Sequence, residues 1–98
     1  MEGMSEILQN YVESTTKQLV DKPDDVLVNV VVSTKSLIVQ IKVAKSDCGK
    51  VIGKKGRTID AMKVIALAIK NTHFSDDIRK VTLEILEDES SGFSLGKN

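Results

Sequence analysis

The sequence is poor in the residues that most enzymes and secreted domains rely on. It has one cysteine, one histidine, one proline, no tryptophan and three aromatic residues among 98. A lone Cys48 excludes an internal disulfide and fits a reducing compartment. His73 lies in a polar stretch with no cysteine or second histidine nearby, so no metal set is expected. With Tyr11, Phe74 and Phe93 as the only aromatics, the core has to be aliphatic. No apolar run is long enough to span a bilayer, and the N-terminus lacks the basic start and apolar stretch of a secretory signal. A cytoplasmic protein with no membrane role is the expectation. Clustered carboxylates and Ser–His pairs are missing, and so is a Gly-x-Gly-x-x-Gly fingerprint. Gly49, Gly53 and Lys54 fail as a P-loop, because three residues rather than four separate the glycines and Lys55 follows the first lysine. No catalytic residue and no cofactor is expected.

The net charge is zero, but the charges are segregated. Residues 42–70 hold eight cations against two carboxylates, a net +6, while the segments on either side are each −3. A local positive block on an otherwise acidic chain points to a polyanion. A lysine-rich solvated helix face would look the same, so the block needs a second observation.

Apolar periodicity divides the chain. Residues 4–20 place Met4, Leu8, Tyr11, Val12, Thr15 and Leu19 on one helical face, and Pro23 ends the helix. Residues 26–33 are β-branched, with Val26, Val28, Val30 and Val32 alternating. Residues 37–43 alternate again through Leu37, Val39, Ile41 and Val43, so a tight hairpin is expected. Ser46 is a candidate N-cap for a short helix over 47–52. A longer helix over 57–70 carries Ile59, Met62, Ile65, Ala66 and Ile69. Residues 78–86 form a third strand, with Val81, Leu83 and Ile85 on one side. The expected fold is α+β: a two-layer sandwich of three helices on a three-stranded sheet, in the order α-β-β-α-α-β. One domain over residues 1–87 is expected, followed by a flexible tail over 88–98.

The second observation comes from residues 51–59, Val-Ile-Gly-Lys-Lys-Gly-Arg-Thr-Ile. Gly53 and Gly56 fall at the turn between the two later helices, where positive φ and close backbone approach are needed. The amides of Arg57, Thr58 and Ile59 open the second helix and are expected to be unpaired. Helix dipole, amides and the cations Lys54, Lys55 and Arg57 then make an anion site suited to a sugar-phosphate chain. A tight helix connection with idle lysines is the structural alternative. Lys63 and Lys70 read as solvated helix residues.

This segment resembles the core signature of KH domains, an apolar pair followed by Gly-x-x-Gly and an apolar residue on the next helix. The element order resembles the type II, bacterial form of that fold. Small size, Pro23-Asp24 and the stretch from Gly49 to Arg57 resemble stand-alone bacterial KH proteins of the KhpA type. Cys48 departs from the larger apolar residue usual there. The resemblance implies single-stranded RNA clamped by the glycine loop. Gly53 and Gly56 would admit the backbone, and Lys54 and Lys55 would contact phosphates. Val51, Ile52 and Ile59 would line the apolar floor, Lys50 and Arg57 would flank it, and the strand edge at residues 37–43 would meet base edges. It also implies an RNA chaperone or post-transcriptional regulator acting as a homodimer or with a larger KH-containing partner. The alternative is a protein–protein interaction module using the same loop and helices.

Overall fold

The computed structural model describes residues 3–86, so the tail expected over 88–98 lies outside the described residues. The elements run α1 (Met4–Leu19), β1 (Leu27–Val32), β2 (Ser36–Lys42), α2 (Cys48–Ile52), α3 (Arg57–His73) and β3 (Lys80–Leu86). The order is the expected α-β-β-α-α-β. Among the described residues, no helix is long and apolar enough to cross a membrane.

α1 opens with the Gly3 amide donating to Glu6 Oε1 at 3.1 Å. Its buried residues are Met4, Leu8, Val12 and Thr16. The buried stripe steps by four residues and so winds round the helix by about 40° per step, with Thr16 buried where Thr15 was expected. Ser33 closes the hairpin: its amide donates to the Ser36 carbonyl at 2.9 Å, and its hydroxyl accepts from the Ser36 amide at 3.1 Å.

β1 pairs antiparallel with β2, Val30 opposite Val39, and β2 pairs parallel with β3, Val39 opposite Leu83. The parallel step needs a crossover, and α2 and α3 supply it. β2 is therefore the central strand. Leu37, Val39, Ile41 and Val43 are all buried, as their alternation predicts. They meet Leu8 and Val12 of α1 and Met62 and Ala66 of α3 in the aliphatic core. Val32 departs from expectation and is half exposed, at the end of an edge strand. Ser46 does not cap α2. That position belongs to Asp47, whose side chain is turned elsewhere.

α3 runs three residues past its expected end, and β3 begins two residues late. One polar knot accounts for the second change. The Asp77 carboxylate accepts from the Arg79 amide at 2.9 Å, from Arg79 Nε at 3.0 and 3.1 Å, and from Arg79 Nη2 at 2.6 Å. Lys70, expected in solvent, is only 3% exposed, and its ammonium donates to the Asp77 carbonyl. The chain is thus fixed at residues 77–79 before it can enter the sheet.

Arg79 holds the Asp77 carboxyl at about 2, below its ordinary 3.8. A depressed carboxyl stabilises the fold above its unfolded value and loses that contribution as pH falls through the folded value. Stability should drop as pH goes from about 3.8 toward 2. Arg79→Met should start less stable and lose less over that window. Thermal melts of both proteins across the acid range check this, and parallel curves would contradict it.

Candidate nucleic-acid interface

α2 has only five residues, too few to hold itself together in water. Its position is set from outside. Val51 is wholly buried and anchors it in the core. Asp47, at its start, is also wholly buried. The Asp47 carboxylate accepts the Asp21 amide at 3.2 Å and the Lys22 amide at 3.0 Å, tying the segment after α1 to α2. Burial alone would raise this carboxyl, but the two amides and the Lys50 ammonium outweigh it and hold the pKa below its ordinary value.

α2 stops at Gly53, with φ 78° and ψ 173°. A single 3-10 turn, Lys54–Gly56, follows and leads directly into α3. Its bonds are Gly56 N–H to the Gly53 carbonyl at 3.1 Å and Arg57 N–H to the Lys54 carbonyl. The Arg57 amide, expected to be open to a ligand, is therefore used by the turn itself. Lys55 (φ 57°) and Gly56 (φ 75°) are both left-handed. For lysine that conformation costs about 1–2 kcal/mol, and strain of this kind gathers at functional turns.

The two glycines have different tasks. A Cβ on Gly53 would stand 2.1 Å from Thr58 Oγ1 and 2.8 Å from the Thr58 nitrogen. The close approach at Gly53 is thus made by the protein's own α3. A Cβ on Gly56 would meet nothing within 4 Å, so that side of the loop is open to an incoming backbone.

Lys54, Lys55 and Arg57 are exposed and form no ion pair with any described residue. Three cations within four positions therefore face solvent on a tight turn. Lys50 differs. Its Nζ lies 3.0 Å from Asp21 Oδ2 and 3.6 Å from Asp47 Oδ1, and the Asp21 contact raises its pKa. Of the three apolar residues expected under a ligand, Val51 is sealed in the core. Ile52 is exposed and Ile59 is half-buried against the core.

Two grooves flank α3. The first lies against α1, where Tyr11, Leu19, Met62 and Ile65 meet Arg57 and Thr58 at the end of the glycine loop. The second lies against β3 and includes Lys63, Leu67, Asn71, Ile78 and Thr82. Residues 37–43 were expected to offer a strand edge here. They cannot, because β2 is bonded on both sides, and the edge strand beside α3 is β3. Ile78 was missed as a surface feature. It is 94% exposed between the two anchored residues Asp77 and Arg79. Apolar alternation had assigned it to the strand.

A Gly-x-x-Gly turn joining two helices that pack on a three-stranded mixed sheet, with the order α-β-β-α-α-β, defines a KH domain of the type II arrangement. Comparison with known proteins narrows the class. The family model described as "KhpA/KhpB, KH domain" matches residues 9–85, and the chain belongs to that family. It is 40% identical over 81 residues to "RNA-binding protein KhpA" of Chlamydia trachomatis, covering 83% of this chain and 99% of the relative. The protein of the same name from Clostridium perfringens is 43% identical over 81 residues, covering 81% and 100%. That from Aquifex aeolicus is 39% identical over 80 residues, covering 82% and 96%.

Proposed function

We propose that this chain is a non-catalytic, cytoplasmic RNA-binding protein that holds single-stranded RNA at the Gly53-Lys54-Lys55-Gly56 loop. The observation that carries the reading is a trio of exposed cations, none in an ion pair with a described residue, on a strained turn whose Gly56 side is open. The names of its relatives support the ligand class. In this reading Lys54, Lys55 and Arg57 neutralise phosphates and the RNA backbone passes over Gly56. Bases turn toward Ile52, Ile59 and the groove bounded by Leu67 and Ile78. Few aromatics line this path, so stacking is weak, and binding is backbone-driven with modest sequence preference. An RNA chaperone or post-transcriptional role follows from such binding.

Fluorescence anisotropy with a short labelled single-stranded RNA tests the reading. Two to four phosphate contacts give a log–log salt slope of about −1.4 to −2.8. Absent or salt-independent binding at low salt would overturn it.

A second reading rests on α3. Ala61, Val64, Ile65 and Ala68 are exposed at helical spacing, with Val64 64% exposed, and they form an apolar stripe beginning one turn after the loop. We infer that this stripe seats a second KH domain, either another copy of the chain or a larger KH-containing protein. Pairing would bring two loops onto one RNA and raise avidity without new contacts. Val64→Glu with Ile65→Glu should leave a monomer by light scattering and weaken binding to an RNA long enough for two loops. A wild-type protein that is monomeric at high concentration would exclude the homodimer.

A further inference from the structure

Lys50 stands one helical turn before the glycine loop, yet its ammonium is already occupied. Two carboxylates share it, and they differ in freedom. Asp47 is wholly buried and pinned by the Asp21 and Lys22 amides, so it stays where it is. The Asp21 side chain is 75% exposed, and its one ion pair with a described residue is the 3.0 Å contact to Lys50. Exposed pairs of this kind are weak and exchange readily for other anions.

We propose that Asp21 is an internal competitor for nucleic-acid phosphate at Lys50, an acidic stand-in that lowers the affinity of the loop for RNA. The inference rests on the RNA reading given above. When a phosphate reaches Lys50, the Asp21 carboxylate is displaced and left to solvent, where it attracts a counterion of its own. The cation released from the RNA is thereby matched by one taken up. Lys50 thus adds little net counterion release while Asp21 is present, and part of a contact's worth when it is absent, since Asp47 remains beside it. Asp21 also bonds to Asp47 through its main-chain N–H, which any side-chain substitution leaves in place.

The test is anisotropy with a short labelled single-stranded RNA at about 50 mM salt, comparing wild type, Asp21→Asn, Asp24→Asn and Asp21→Asn/Lys50→Gln. Asp24 is a nearby exposed carboxylate with no ion pair to a described residue, so it controls for net charge. Asp21→Asn should bind roughly two- to fivefold tighter, with a salt slope steeper by about 0.2 to 0.5. Asp24→Asn should gain clearly less, and the double variant should lose the gain. Melting curves should show Asp21→Asn folded like wild type. Equal binding by Asp21→Asn and wild type would overturn the competitor role alone. So would an equal gain from Asp24→Asn, or a gain that survives Lys50→Gln. Failure of wild type and every variant to bind would take down the RNA reading along with it.

Discussion

Replacing Lys54 and Lys55 with aspartate should weaken binding of a short single-stranded RNA by about a hundredfold at roughly 50 mM salt, with the fold intact. On a single strand, counterion release contributes about 0.7 to the salt slope per phosphate contact. At that salt each contact is worth roughly eightfold, so two contacts give about sixtyfold, and the reversed charges add repulsion. The slope itself should flatten by about 1.4. Stability should change little, because both side chains are exposed and make no ion pair with a described residue. Aspartate also tolerates the left-handed conformation at position 55 better than most residues. Anisotropy and circular dichroism on the same samples decide the matter. A folded variant that binds like wild type would move the RNA away from the loop.

The largest effect on stability is expected at Gly53. Its φ of 78° with ψ of 173° lies in a region only glycine occupies without strain. An added methyl group would also drive into the Thr58 nitrogen, a backbone atom that has no rotamer to escape by. Gly53→Ala should therefore cost about 3 kcal/mol or more, which for a domain of this size lowers Tm by more than about 12 °C. Removing the hydroxyl with Thr58→Ala in that background should recover only part of the loss, since the nitrogen contact persists. Gly56→Ala is the contrast. Its φ of 75° carries strain, but its Cβ would enter open space, so the cost should be about 1 kcal/mol, or roughly 4–8 °C. RNA binding should nonetheless fall in Gly56→Ala, because that methyl group would occupy the open side proposed to receive the RNA backbone. Similar melting temperatures for the two variants would contradict this division of roles.

The strands and helices were legible because their signals are local. Leu37, Val39, Ile41 and Val43 alternate within one element, and burial follows the alternation directly. The glycine turn was legible for the same reason, since two glycines flanking two lysines need no distant partner to be recognised. What sequence reading missed depends on residues far apart in the chain. Lys50 reads as a flanking cation until Asp21 is found 3.0 Å away. Lys70 reads as solvated until the Asp77 carbonyl closes over it. Alternation shows that residues 37–43 form a strand but not that it lies between two others, so the strand edge was assigned to β2 when it belongs to β3. Gly53 and Gly56 look equivalent in the sequence, and only the position of Thr58 separates them.

The most direct test of the loop as the RNA site is a titration of isotope-labelled protein with a short single-stranded RNA, followed by amide chemical shifts. The largest shifts should fall on residues 53–59 and on Ile52, with smaller ones along the β3 side of α3, and they should shrink as salt is raised. Shifts concentrated on the outer face of the sheet, with the amides of 53–59 unmoved, would contradict the account.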